Sequence, residues 1–98
     1  MKPLIVSTKY ATIMVHGKVQ GVGYRRYVMS KARQLSIKGY VKNLEDLTVE
    51  IVAEGEELNF DTFISYLRTG TTMSQIKDIN IKLMSEKSDK TAFFDIFF

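Results

Sequence analysis

The spacing of apolar residues in this chain switches twice from the period of a strand to the period of a helix, and this pattern limits its fold more than any other feature. Residues 9–16 alternate between two faces, one of them purely aliphatic, as a half-buried strand requires. From about Tyr24 the apolar residues recur three and four positions apart, which indicates an amphipathic helix over 24–35. The same change from strand period to helix period occurs a second time, between a predicted hairpin at 40–54 and a second predicted helix at 56–68.

The order of the predicted elements is β-α-β-β-α-β with a short extra C-terminal strand. The strands are predicted at 9–16, 40–43, 49–54, 79–83 and 93–98, and a polar turn at 86–90. Two helices on one face of a mainly antiparallel sheet form the ferredoxin-like two-layer sandwich, an α+β fold. We expect one domain over residues 9–98, preceded by an N-terminal extension of residues 1–8.

Composition and chain ends suggest where such a domain would work. The chain contains no cysteine, which excludes disulfides and thiol nucleophiles and is compatible with a reducing compartment. No apolar run approaches the length of a membrane helix, and the apolar part of the first eight residues is too short for a signal peptide. These features predict a cytoplasmic protein with no membrane partner, and a monomer is the default expectation.

The charges are divided along the chain. Every charged residue from Lys18 to Lys42 is basic, and every charged residue from Asn43 to Leu67 is acidic. A basic segment of this kind attracts a small anion or a nucleic acid. A solvated basic helix face is the simpler interpretation when charge is considered alone.

A glycine-rich turn joins the first strand to the first helix. Gly17, Gly21 and Gly23 allow positive φ angles, so that several backbone N–H groups can converge ahead of the helix N-terminus. Such a concave site binds anions. Arg25 would lie in the first helical turn, where a guanidinium can hold two phosphate oxygens at once. The spacing is neither that of a Walker A loop nor that of the dinucleotide fingerprint.

The segment from His16 to Arg25, which reads HGKVQGVGYR, resembles the phosphate-loop signature of the acylphosphatase family. Downstream, the segment from Gly39 to Asn43, GYVKN, resembles the second motif of that family, and the strand from Val49 to Gly55 resembles its third strand. The motifs occur in the expected order within the β-α-β-β frame. The resemblance covers roughly residues 9–98 and weakens after Gly55.

The resemblance implies a function and a set of site residues. Arg25 would bind the phosphate, and Asn43 would orient the attacking water molecule. The substrate-binding cradle would be the backbone of Gln20, Gly21, Val22, Gly23 and Tyr24. The implied reaction is hydrolysis of an acyl phosphate, with inorganic phosphate as product and inhibitor and with no metal and no cofactor. Because a carboxylate leaves without help from a general acid, His16 is expected to be structural.

Three segments depart from the family pattern. The hairpin after Asn43 has Asp46-Leu47 where the family has Asp-Gly. Because a leucine adopts positive φ only at a cost, we expect this hairpin to use another turn type. The segment after the second helix reads Gly70-Thr71-Thr72 where Gly-Pro-Pro is usual, and the chain ends in Ile96-Phe97-Phe98. We expect these last two changes to affect peripheral packing rather than the active loop.

Two alternative functions fit the same element order. An RNA-binding module needs exposed aromatic residues on its third strand, whereas the third strand here, residues 49–55, is acidic and has no aromatic residue. Nucleic acid is therefore a disfavoured partner. A small-ligand regulatory domain would bind an anion without turnover. The sequence identifies neither the natural acyl group nor activity on other phosphate compounds.

Overall fold

The computed structural model describes residues 7–85 and 93–98. Its elements are β1 (Thr8–Lys18), α1 (Tyr24–Gln34), β2 (Lys38–Asn43), β3 (Val49–Glu56), α2 (Glu57–Thr69), β4 (Gln75–Met84) and β5 (Phe94–Phe97). This order confirms the predicted one, and both helices lie within one residue of their predicted bounds. The predicted polar turn at 86–90 and most of the predicted extension at 1–8 lie outside the described residues, so the domain boundary stays a prediction.

The five strands form one mixed sheet in the order β4-β1-β3-β2-β5. The pairs β1–β4, β1–β3 and β2–β3 are antiparallel, and β2 pairs with β5 in parallel. This is the ferredoxin-like arrangement that the hydrophobic periods predict. Among the described residues no helix is long and apolar enough to span a membrane.

The core lies between the sheet and the two helices. The odd-numbered residues of β1 from Ala11 to Val15 are fully buried on the helix side of the sheet. Helix α1 contributes Val28 and Ala32, and α2 contributes an apolar row that includes Phe63. The ring of Phe63 lies 6.0 Å from that of Phe94 in β5 and meets it edge to face. Both helices therefore pack on one face of the sheet, as predicted.

Strand β4 begins at Gln75, four residues before its predicted start. The register of β1 against β4 shifts between His16 and Gly17, which pair with Asp78 and Ile76, so that Lys77 is an extra residue on β4. Such a β-bulge breaks the period of two. The alternation that predicts a strand is therefore visible in the sequence only from residue 79 onward.

The turn between β2 and β3 corrects one expectation. Leu47 adopts a φ of 73°, so the hairpin keeps the positive-φ conformation that we expected it to avoid. The N–H of Leu47 donates to the carbonyl of Leu44 at 3.2 Å, and the N–H of Leu44 donates to the carbonyl of Thr48 at 2.9 Å. The Asp46 carboxylate accepts the N–H of Thr48 at 3.1 Å and also its hydroxyl. These bonds hold a leucine in a conformation that its side chain disfavours.

The same contacts change the pKa of the Asp46 carboxyl in the turn. The hydroxyl of Thr48, followed by its backbone N–H, stabilises the ionised carboxylate, and this lowers the pKa of Asp46.

We predict that Leu47→Gly stabilises the protein. Leu47 is 68% exposed, so little packing is lost, while the substitution removes a left-handed strain of about 1 kcal/mol. The free energy of unfolding, measured by denaturant titration, should rise by about 0.5–1 kcal/mol. Leu58, which is 81% exposed within α2, supplies the matched control. Leu58→Gly should lower stability by about 1 kcal/mol, and equal effects at both positions would contradict the interpretation.

Candidate active site

Sheet register brings two separate segments of the chain to one end of the fold. Val49, the first residue of β3, pairs with Val15 of β1 on one side and with Asn43 of β2 on the other. Residues paired across antiparallel strands project their side chains to the same face. Asn43 therefore belongs to the helix side of the sheet, beside the loop that leaves β1.

The loop between β1 and α1, residues 19–23, is shaped to present backbone N–H groups. Gly21 and Gly23 have φ angles of 72° and 75°. Gly23 is also the N-cap residue of α1, and no side chain within residues 7–85 and 93–98 caps the N-terminus of that helix. Left-handed glycines ahead of an uncapped helix N-terminus form a concave, partly positive surface.

Two arginines and this loop line a cavity of about 360 Å³. Its other walls are the apolar residues Val19, Ile96 and Phe98. The guanidinium carbon of Arg25 lies 5.1 Å from the centre of the Phe98 ring, within cation–π range. No carboxylate in residues 7–85 and 93–98 lies within salt-bridge distance of Arg25 or Arg26. The cavity therefore combines an apolar wall with unneutralised positive charge.

Asn43 carries a buried polar atom that has no hydrogen-bond partner among the described residues. Its side-chain oxygen Oδ1 is buried and accepts no hydrogen bond from the described residues. Leaving a buried acceptor unpaired costs about 1–3 kcal/mol, and such an atom in a native protein calls for an explanation. Asn43 is not among the residues that line the arginine cavity.

The side chain of Gln20 joins the two segments. Its Nε2 donates to the carbonyl of Leu44 at 2.8 Å and to the carbonyl of Thr48 at 2.9 Å. These carbonyls lie on the two sides of the hairpin turn, one residue beyond the Asn43–Val49 pair. Only the backbone of Gln20 is predicted from the sequence to take part in the site, so its side-chain bridge is unforeseen. No local signal in the sequence indicates which carbonyls the amide meets.

Two further residues of the predicted cradle, Tyr24 at the start of α1 and Val22 in the loop, have structural contacts through groups other than their backbone N–H. The Tyr24 side chain is only 1% exposed, and its hydroxyl donates to the carbonyl of Leu67 at 2.9 Å. Burial raises the pKa of Tyr24, with a smaller contribution from the nearby Tyr27. The carbonyl of Val22 accepts the Thr71 hydroxyl at 3.3 Å. Thr71 therefore contacts the loop directly, and Phe98 lies beside Arg25. The expectation that these two departures from the family pattern affect only peripheral packing is wrong, because both segments lie against the loop or the cavity.

Other candidate groups lie apart from this arrangement. His16 belongs to the opposite face of β1 from Val15, and its partner in the register is Asp78 of β4. Within the described part of the chain, no three His, Cys, Asp or Glu side chains are grouped so that they could hold a metal ion.

Comparison with known proteins agrees with this architecture. The sequence model of the family described as Acylphosphatase matches residues 11–96. The acylphosphatase of Archaeoglobus fulgidus is 47% identical over 70 residues, which cover 71% of this chain and 79% of that protein. The acylphosphatase of Clostridium acetobutylicum is 42% identical over 81 residues, 83% of this chain and 89% of that one.

Solved structures show the same similarity in three dimensions. The crystal structure of acylphosphatase from Bacillus subtilis superposes with a TM-score of 0.86 at 34% identity, covering 94% of this chain and all of that one. An acylphosphatase structure from Coxiella burnetii gives a TM-score of 0.84 at 30% identity, covering 92% of this chain and 93% of that one.

We predict that the Tyr24 hydroxyl stabilises the fold without taking part in chemistry. Its bond to the last turn of α2 is buried, so Tyr24→Phe leaves the carbonyl of Leu67 without that donor and should lower the free energy of unfolding by about 1–2 kcal/mol. Activity per folded molecule should change less than about threefold. Tyr27 donates to the neighbouring carbonyl of Tyr66 at 2.9 Å from a less buried position, so Tyr27→Phe should cost less. A large loss of turnover by folded Tyr24→Phe would contradict this assignment.

Proposed function

This chain belongs to the acylphosphatase family and is a hydrolase of acyl phosphates, and we propose that it cleaves its substrate with the β1–α1 loop, Arg25 and Asn43. In this proposal a water molecule attacks phosphorus in line, and the products are a carboxylate and inorganic phosphate. The observation that carries the proposal is the meeting of the two motifs. The loop with its arginine is joined by hydrogen bonds to the strand end at Asn43, whose buried amide oxygen accepts nothing from residues 7–85 and 93–98.

The phosphoryl group would bind in the loop. Its oxygens would accept hydrogen bonds from the backbone N–H groups of Gln20, Gly21, Val22, Gly23 and Tyr24, and Arg25 would grip two of them. The uncapped helix N-terminus and the left-handed glycines support this assignment. The absence of a carboxylate partner for Arg25 among the described residues supports it further. Donors placed in advance around these oxygens would stabilise charge in the transition state.

The attacking water molecule would be held by Asn43. Because Oδ1 is buried and accepts nothing from the described residues, it would accept a hydrogen bond from water and direct the oxygen lone pair toward phosphorus. Holding the nucleophile in line is the main requirement of phosphoryl transfer.

The leaving group would need no acid. When water attacks, the bond between phosphorus and the acyl oxygen breaks, and the carboxylate departs with the electron pair. A carboxylate is a weak base, so neither His16 nor a metal ion is required in the proposed route. The proton of the water molecule would pass to the phosphate. The acyl group would rest against the apolar wall of Val19, Ile96 and Phe98.

The finer properties of the enzyme are also proposals. Inorganic phosphate would act as an inhibitor as well as a product, because it fits the same cradle. We propose a cytoplasmic monomer, and a chain without cysteine suits a reducing compartment. The RNA-binding and regulatory alternatives are not favoured, since the family and the relatives named above are acylphosphatases.

We predict that Arg25 is required for phosphate affinity. Arg25→Ala should weaken competitive inhibition by inorganic phosphate at least tenfold, because the main counter-charge is lost. Arg25→Lys should not restore it, since an ammonium cannot reproduce the forked contact. Arg68, an exposed arginine in the last turn of α2, supplies the charge-matched control, and Arg68→Ala should leave inhibition unchanged. Unaltered phosphate affinity in folded Arg25→Ala would refute the assignment.

We predict that Asn43 acts on turnover rather than on binding. Asn43→Ala should leave phosphate inhibition nearly intact while kcat falls on the order of a hundredfold, about 3 kcal/mol in the barrier. Asn43→Asp should be slow as well and should also weaken phosphate binding, because it places a negative charge near the anion.

Three measurements on the same proteins separate this role from a structural one. If Asn43 only ends a strand, Asn43→Ala should lose about 1 kcal/mol of stability and keep normal activity per folded molecule. Turnover, phosphate inhibition and the denaturant midpoint therefore decide the matter. Near-normal turnover by well-folded Asn43→Ala would rule out the proposed mechanism.

A further inference from the structure

The proposed phosphate cradle and the proposed water-holding residue lie on segments that are distant in the chain. The loop of residues 19–23 follows β1, whereas Asn43 ends β2. Within residues 7–85 and 93–98, every hydrogen bond between this loop and the β2–β3 hairpin comes from the side chain of Gln20. One amide group thus supplies all of the hydrogen bonds between these two described parts.

The geometry of this bridge restricts movement in two directions. Both hydrogen bonds start from one planar NH₂ group, and they end on Leu44 and Thr48, which face each other across the hairpin. Leu44 is bonded directly to Asn43 in the chain, and Thr48 is bonded to Val49, the partner of Asn43 in the sheet. Contacts to both strands resist sliding of the loop along the hairpin as well as separation from it.

We infer that Gln20 is a positioning residue for hydrolysis: its side chain sets the distance and orientation between the phosphate cradle and the water molecule held by Asn43. The inference rests on the proposed function and adds to it a role for a side chain that does not touch the substrate. In-line attack is sensitive to such placement, because a misplacement of about 1 Å costs on the order of a hundredfold in rate.

Gln20→Met tests the inference, since it keeps the length of the side chain and removes both donors. We expect kcat to fall about tenfold to a hundredfold, while the inhibition constant for inorganic phosphate changes less than about threefold. Gln34, an exposed residue at the end of α1, supplies the matched control. Gln34→Met should leave both quantities unchanged.

A double-mutant cycle separates positioning from general support of the fold. If Gln20 acts through Asn43, then Gln20→Met should lower kcat by less than about threefold in a protein that already carries Asn43→Ala. A merely structural role lowers kcat by the same factor in both backgrounds. Rates are expressed per folded molecule, with the folded fraction taken from circular dichroism under the assay conditions.

Gln20→Glu adds a pH-dependent readout, with rates again expressed per folded molecule because protonation of this carboxylate would restore stability as well. The introduced carboxylate would face two carbonyl oxygens, which raises its pKa above the ordinary value of about 4.3. The protonated form can donate one of the two original hydrogen bonds. We therefore expect kcat to rise at least fivefold as the pH is lowered through that raised pKa, relative to the wild type at each pH. Gln20→Met should show no such recovery.

The outcomes distinguish this inference from the function on which it rests. Equal losses of kcat in both backgrounds, or wild-type kcat in folded Gln20→Met, overturn the positioning role while leaving acyl phosphate hydrolysis intact. A flat relative pH profile for folded Gln20→Glu overturns it too. Failure of the wild type to hydrolyse acetyl phosphate or benzoyl phosphate would instead refute the proposed function.

Discussion

The site depends on the antiparallel pairing of β3 with its two neighbours, β1 and β2. Val49 begins β3 and pairs with Val15 on one side and with Asn43 on the other. Because both neighbours run antiparallel to β3, the ends of β1 and β2 meet at its beginning. This register brings the loop after β1 beside the end of β2, and the buried aliphatic row of β1 keeps the register from slipping, since a shift by one residue would turn that row toward solvent.

Several local preferences are violated close to this point. Helix α1 has Arg25 and Arg26 near its N-terminus and no acidic residue in its first turn, although the helix dipole favours negative charge there. Asn43 has a buried oxygen that accepts no hydrogen bond from the part of the chain that the structure describes, and Leu47 adopts a left-handed conformation. Proteins concentrate such violations at functional sites, where a ligand or the surrounding structure offsets them. An anion bound beside α1 would offset the positive charge at the helix N-terminus, and a water molecule bound to Asn43 would offset the burial of its oxygen.

The small size of the proposed machinery follows from the chemistry of the substrate. An acyl phosphate already carries a good leaving group, so what remains is to bind an anion, spread its charge and hold one water molecule. In the proposed mechanism a shaped loop, one arginine and one amide suffice for these tasks. The rate of hydrolysis would depend on how accurately these groups are held. The side chain of Gln20 would serve that end in the proposal, whereas the hydroxyls of Tyr24 and Thr71 donate to backbone carbonyls and support the fold around the loop.

The sequence by itself determined the order of elements, the two-layer fold and the family, because periods of two and 3.6 and short loop motifs are local properties that can be read along the chain. It also pointed to Arg25 and Asn43 as candidates. Only the tertiary structure decided where β4 begins. A bulge against β1 interrupts the alternation of side chains, so the first four residues of β4 show no strand pattern in the sequence. Leu47 could not be predicted for a similar reason, since hydrogen bonds within the folded hairpin outweigh the preference of a single residue. The partners of Gln20 and Tyr24 likewise lie 24 to 43 positions away, and contacts over such separations are set by packing and sheet register rather than by the neighbouring sequence.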